Sequence, residues 1–355
     1  MEAYRSQLIK IGWITLTWTI ISLFQFFIRY GALVEYGVAD QFNLLIPLKA
    51  SLIAGVMAGV LGGSATVFLW EKWLRSKPYG WTIRNTLISY SIIFILVASV
   101  TTAFFQSQLL SLPPYEPEVL NTVLQRLTST TTLVPFFTWL SVSVITVIAL
   151  QVNDKYGPGV FRKFLLGRYF NPKREERIFM FLDLRSSTTI AEEIGEERYF
   201  SFLREVFRFA TPAILSNEGE IYQYVGDEIV ISWELDRGKR DAHCINCYFD
   251  IQEVLNKKKH YFQENYGNQP EFKAGIHYGH VMAGEIGIVK REIAFSGDVL
   301  NTAARIQSMC NELGVNILTS KAIIDLLGPV TQFKPEEVGA IELRGKKETV
   351  TLFTI

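Results

Sequence analysis

The chain has 355 residues, room for roughly two domains, with 49% apolar residues and equal numbers of basic and acidic ones, 35 of each. A mean hydropathy above zero is unusual for a wholly soluble enzyme and points to a membrane. The balanced charge turns acidic after Glu176, which argues against a nucleic-acid partner.

Four stretches reach the roughly 18 apolar residues that a spanning helix needs. They lie at about residues 11–28, 50–70, 86–105 and 133–152, and none contains a charge. The first lacks the short apolar core and small-residue cleavage site of a signal peptide, so it reads as a retained anchor. Lys72, Arg75, Lys77 and Arg84 follow the second span, and Lys155, Arg162, Lys163, Arg168, Lys173, Arg174 and Arg177 follow the fourth. The other two loops carry only Arg29 and Arg126, beside Glu35, Asp40, Glu116 and Glu118, with Lys49 at the edge of the second span, where it can snorkel. Because short cytoplasmic loops collect basic residues, both termini are expected in the cytoplasm, with the protein multi-pass in a plasma or inner membrane and lipid as its surroundings. Gly55, Gly59 and Gly63 recur at every fourth position of the second span. Such a stripe lets helix backbones approach closely, inside one four-helix unit or at a dimer seam. With no acid or histidine inside a span, ion transport is not expected, and residues 1–152 read as an anchor.

Residues 153–176 form a basic connector punctuated by Gly and Pro, and a second domain is expected over 177–355. Its predicted order is a strand (Arg177 to Leu184), a helix (Thr189 to Leu215) and a hairpin (Gly219 to Leu235). A helix (Lys239 to Glu264), a strand (Glu271 to Tyr278), a hairpin around "AGEIGIVKREIAFSG" and a helix (Val299 to Leu313) precede short final strands. This is an α/β (α+β) chain: four transmembrane helices followed by a ferredoxin-like, palm-type βαββαβ domain. Cys244 and Cys247 form a CxxC, but they fall on one face of a helical pattern without a second pair, and Cys310 leaves the set odd in a half expected to be reducing.

Three segments of the second domain carry polar residues that packing does not explain. In "IFMFLDLRSST" an apolar strand runs into Asp183 and then into Ser186, Ser187 and Thr188. Thr189 and Glu192 have capping-box spacing, so a helix start follows whose N–H groups suit phosphate oxygens. In "GEIYQYVGDEIV" the turn holds Gly226 and Asp227, followed by Glu228, which reads as an outward, solvated neighbour. The topology sets Asp183 beside Asp227, and two carboxylates so close call for hard divalent cations with a polyphosphate. In "SGDVLNTAARI", Asn301 and Arg305 are four apart and share one helix face, a neutral donor and a planar cation suited to charge growing on a transferring phosphoryl group.

Together with "AGIHYGHVMAGEIG", these blocks resemble, in the same order, the catalytic domain of class III nucleotidyl cyclases, the adenylate and guanylate cyclase family. The resemblance implies metal binding by Asp183, Leu184 and Asp227, with two Mg²⁺ or Mn²⁺ ions. It implies a transition-state pair in Asn301 and Arg305, phosphate binding near Ser186, Ser187 and Thr188, and a triphosphate grip by Arg344, where the family usually has lysine. His277 falls in the GIHxG block, where a structural role is expected. The implied reaction closes a nucleoside triphosphate to its 3′,5′-cyclic monophosphate and pyrophosphate, across a head-to-tail homodimer. Base choice stays open: the positions that usually hold Lys and Asp or Thr in adenylate cyclases, and Glu and Cys in guanylate cyclases, are Gln223 and Ala294 here. ATP is favoured, with GTP or a pyrimidine nucleotide, or a non-catalytic nucleotide-binding membrane sensor, as alternatives. A diguanylate cyclase would need a GG(D/E)EF turn that "VGDEI" lacks.

Overall fold

The computed structural model describes residues 2–37, 43–70, 79–156, 167–289, 291–328, 333–342 and 349–355. Arg344, the loop carrying Lys72 to Lys77 and much of the connector lie outside them. The chain divides into two compact units, Met1–Val152 and Asn153–Ile355.

In the first unit, α1 (Glu2–Glu35), α2 (Leu45–Ser64, continued by a π-helical turn Ala65–Trp70), α3 (Tyr79–Leu110) and α5 (Leu133–Tyr156) overrun the predicted spans at one or both ends. Each carries most or all of a segment long and apolar enough to cross a membrane: Gln7–Glu35, Leu45–Leu69, Ile83–Leu110 and Thr130–Leu150, the last beginning in a 3-10 turn just before α5. The glycine stripe is used inside the chain. A Cβ on Gly55 would stand 2.7 Å from the Thr19 Cα, and one on Gly59 would stand 2.5 Å from the Thr15 Cα, so α1 and α2 pack backbone to backbone along it. An element absent from the sequence reading is α4 (Pro117–Thr128), with Pro at its start and Val119 and Val123 buried one turn apart.

The second unit is built on a mixed sheet in the order β2-β3-β1-β4-β6-β8-β7, with β5 paired to β4. Its strands are β1 (Lys173–Leu184), β2 (Glu220–Val225), β3 (Glu228–Glu234), β4 (Phe272–Ile286), β5 (Glu292–Ser296), β6 (Ile317–Ser320), β7 (Glu336–Glu342) and β8 (Thr349–Thr354). The first four have the predicted βαββαβ arrangement, with β1 antiparallel to both β3 and β4. The run "IFMFL" is apolar throughout because β1 is covered on both faces. Ile178, Met180, Leu182 and Leu184 join the core under α7 (Glu196–Ser216) and α8 (His243–Lys257). Phe179 and Phe181 meet Val299 and Ala303 of α10 (Asp298–Glu312).

Several local expectations are revised. The first strand starts at Lys173 rather than Arg177, and Arg177 is itself fully buried. Its guanidinium bonds Glu175 (3.1 Å), Glu220 (3.0 Å), Ser232 (3.1 Å) and Tyr169 (3.2 Å), and lies 4.5 Å from the Phe295 ring centroid. Burial alone would favour its neutral form, but Glu220, Tyr169 and Glu175 outweigh that and keep it charged. The helix predicted from Thr189 begins at Ser187 and breaks at Gly195, φ +80°, into α6 (Ser187–Ile194) and α7, with no side-chain cap at either start. The helix predicted over 239–264 likewise divides near Lys258 into α8 and α9 (Lys259–Tyr266); α11 (Lys321–Leu327) follows β6. Cys244, Cys247 and Cys310 are free thiols in the core, and burial pushes the Cys244 thiol up to about 12.

Candidate active site

Asp183 sits one residue from the end of β1, where burial starts to give way to solvent, and pairs in register with Glu228 on β3 and Lys273 on β4. The β2–β3 connection is the two-residue turn Gly226-Asp227, with Val225 paired to Glu228. Gly226 has φ +62° and Asp227 does not have positive φ, the pattern of a II′ turn. Glycine therefore meets the conformational demand of the turn, leaving the second position free for an acid. Asp183, Asp227 and Glu228 thus gather at one end of the sheet.

Their electrostatics reveal a shortage of positive charge. Lys273 Nζ lies 3.0 Å from Asp183 Oδ2, and Gln307 of α10 donates to the same oxygen at 3.1 Å. Both partners use Oδ2, so Oδ1 remains for another ligand. Burial nevertheless raises the Asp183 pKa, with Lys273 opposing it and Asp227 adding to it. Glu228, expected to be solvated, is half-buried, and burial together with Asp183 and Asp227 pushes its carboxyl up to about 7. Tyr199 joins the cluster from α7: burial raises its phenol, with Asp227 adding to the shift and Ser187 opposing it.

The other predicted residues are distributed around this cluster. The Leu184 side chain is in the core, so only its carbonyl could serve a cation. Ser186 has the left-handed conformation φ 53°, ψ 27°, uncommon for a non-glycine residue, and turns the chain from β1 into α6. Ser187 is half-buried and Thr188 exposed in the first turn, whose N–H groups have no side-chain cap. Gln223 is exposed on β2 beside an irregularity in the β2–β3 pairing. Ala294, on β5, pairs with Gly284 of β4. Their neighbours Tyr222 and Phe295 touch, with ring centroids 5.0 Å apart and the Phe295 N–H donating to the Tyr222 hydroxyl at 3.4 Å. His277 bonds Ser320 Oγ through Nδ1 at 2.8 Å, a strand-to-strand tie.

Asn301 and Arg305 do share one face of α10, but that face turns away from the acids. At about 100° per residue, Arg305 stands about 200° and Asn301 about 240° around the helix from Gln307, the residue that touches Asp183. Asn301 is exposed and Arg305 partly so. The structure thus brings Asp183 and Asp227 together, while helical geometry turns Arg305, and less completely Asn301, away from the side of α10 that carries Gln307.

Sequence reasoning missed Glu228, Lys273, Gln307 and Tyr199. Lys273 carried a signal, a single charge between Phe272 and Ala274 in an otherwise apolar strand. Gln307 and Tyr199 carried none, because their partners come from distant elements. Among the described residues no group of three or more His, Cys, Asp or Glu is placed to hold a metal ion by itself.

Fold and site define a mixed α/β domain with an acidic corner beside an uncapped helix start. The adenylate and guanylate cyclase catalytic domain matches residues 171–355, and the chain belongs to that family. It is 36% identical over 209 residues to Adenylate cyclase 2 of Rhizobium meliloti (strain 1021), covering 59% of this chain and 58% of that one. It is 25% identical over 187 residues to Adenylate cyclase 1 of the same organism, covering 51% and 28%. In fold it is similar to a bacterial light-regulated adenylyl cyclase, with a TM-score of 0.51 at 21% identity, covering 61% and 63%. The chain thus spans little more than half the length of the first relative and about a quarter of the second.

Proposed function

We propose that the protein is a membrane-anchored nucleotidyl cyclase that converts ATP to 3′,5′-cyclic AMP and pyrophosphate, with residues 1–152 as anchor, 153–176 as connector and 177–355 as catalytic domain on the cytoplasmic side. The observation carrying the reaction is the underneutralised cluster of Asp183, Asp227 and Glu228 beside the uncapped start of α6. This donor set suits Mg²⁺ or Mn²⁺, which take oxygen ligands and complete their shells with water and substrate phosphates. Asp183 through Oδ1, Asp227 and the Leu184 carbonyl are the proposed ligands of two such ions. When bound, the ions neutralise phosphate charge and lower the pKa of the ribose 3′-hydroxyl.

The chain's own groups do the rest. Lys273 and Gln307 fix Asp183 by one oxygen. The N–H groups around Ser186, Ser187 and Thr188 take phosphate oxygens, and Arg344 grips the distal phosphates. The 3′-oxygen attacks the α-phosphorus as its proton leaves, and the bond to pyrophosphate breaks. Because Asn301 and Arg305 turn away from the acids of their own chain, we assign them to the site of a second copy in a head-to-tail homodimer, where Arg305 meets charge growing on the α-phosphate. Gln223 and Ala294 sit at the base positions, and similarity to proteins named adenylate cyclase favours ATP. The test is incubation of the purified protein with each of the four ribonucleoside triphosphates and Mg²⁺ or Mn²⁺, with products resolved by mass. Cyclic AMP as the main product is expected; absence of any metal-dependent cyclic product overturns the reading.

A further inference from the structure

One cavity in the first unit lies among its own helices. It is a cavity of about 300 Å³ bounded by α1, α2, α3 and α5, with Arg126 of α4 and Arg29 of α1 at one end. Trp18, Tyr90 and Trp139 line the other end, with the Trp18 ring centroid 5.7 Å from that of Trp139. Trp18 to Arg29 is about 16 Å along α1 at 1.5 Å per residue. Between these ends the wall is mainly apolar. Two of its serines are internally satisfied: Ser22 bonds the Ser51 carbonyl and Ser143 the Trp139 carbonyl, each through its hydroxyl.

The charge at the open end is unbalanced. Arg29 and Arg126 are close enough for each to feel the other's charge, and no Asp or Glu lines the cavity. Among the described residues neither guanidinium has an acidic partner. Two like charges at the mouth of an apolar pocket are mutually unfavourable unless an anion lies between them, and a guanidinium pair presents forks of donors that fit a carboxylate or phosphate. A pocket of this size, mostly apolar with a few convergent polar groups, is the usual form of a small-molecule site.

We infer that the helical bundle binds an anion carrying an apolar tail, its headgroup held between Arg29 and Arg126 and its tail extending toward Trp18 and Trp139. A free amphiphilic carboxylate and an anionic bilayer lipid share this chemistry, and the experiment separates them. The full chain in phosphatidylcholine nanodiscs is titrated with radiolabelled decanoate against protein-free nanodiscs. Saturable binding above the lipid background is expected, with decanol competing at least about tenfold more weakly because it lacks the charge. Arg29→Gln and Arg126→Gln, both at exposed positions and checked for unchanged helicity, should each weaken binding about tenfold. Ala98→Trp, which fills the pocket from α3, should abolish it. Replacing part of the phosphatidylcholine with phosphatidylglycerol identifies the source: competitive loss of decanoate binding assigns the site to lipid, and unchanged binding assigns it to a free amphiphile. Either result supports the anion site. Non-saturable uptake equal to that of empty nanodiscs, or binding indifferent to both arginine substitutions, overturns it.

Discussion

Gly275 is where α10 crosses β4, and Gly275→Ala tests whether that crossing sets the site. A Cβ there would stand 2.2 Å from the Gln307 N, 2.5 Å from the Ala303 O and 2.6 Å from the Gln307 Cα, all backbone atoms that no rotamer change can move. Restoring ordinary contact requires α10 to retreat by about 1 Å in a core packed to crystal density. Overpacking typically costs about 1–3 kcal/mol, and a rigid backbone contact belongs at the upper end. For a unit of this size about 3 kcal/mol corresponds to a fall of ~6–12 °C in melting temperature. The same retreat displaces Asn301 and Arg305 and loosens Gln307 from Asp183, so turnover should fall about a hundredfold even where the protein remains folded. Gly279→Ala is the internal control: it lies on the same strand, but its Cβ would meet Val299 at an ordinary 3.5 Å. Calorimetry of the detergent-solubilised chain, with hydrogen exchange of residues 298–312, reads both effects. If Gly275→Ala melts within about 1 °C of wild type and keeps α10 protected, the close-crossing argument is refuted.

Asp183→Ala or Asp227→Ala should each lower metal-dependent turnover at least about a hundredfold while leaving the melt nearly unchanged; normal activity in either would sink the ligand assignment. Mixing Asp227→Ala chains with Arg305→Ala chains should restore about a quarter of wild-type activity, because about half the dimers are mixed and each mixed dimer has one intact site. No recovery, with subunit exchange verified, would refute the shared site. A reporter after Ile355 should be cytoplasmic and one near Glu116 external; a cytoplasmic Glu116 would invert the topology. Glu228 has a raised folded pKa, so its contribution to stability is fully present below the unfolded value near 4.5 and is lost as pH rises to about 7. In EDTA the catalytic unit should therefore melt higher at pH 5 than at pH 8, and Glu228→Gln should flatten that slope; an unchanged slope in the variant would contradict it.

Where periodicity and local chemistry set the structure, the sequence was legible. The uncharged apolar runs marked the helices long enough to span a membrane, and the ordered strands and helices of the second half specified βαββαβ. What failed locally was decided by tertiary contact. Arg177 reads as the polar start of a strand, yet Glu175, Glu220 and Tyr169 together keep its charge inside the core, so β1 extends back to Lys173. Thr189 and Glu192 have the spacing of a capping box, but the chain turns at Ser186 and starts its helix earlier, leaving N–H groups uncapped at the acidic corner. Glu228 looked solvated because one residue of alternation separates outward from inward; its pairing with Asp183 across β1 and β3 draws it into the cluster.

The division of Asn301 and Arg305 from the acids could not be read from spacing at all. Four residues apart on a helix places two side chains on one face, and the sequence supports that much. Which way the face points depends on the rotation of α10 about its own axis, and residues far from it in the chain set that rotation. Gly275 lets the backbone of α10 sit against β4 at Ala303 and Gln307, and Gln307 then reaches Asp183. With Gln307 turned inward, helical geometry sends Arg305 to nearly the opposite side. A small residue on one strand and an amide on one helix therefore decide which way that face of α10 points. The head-to-tail dimer proposed above rests on that rotation.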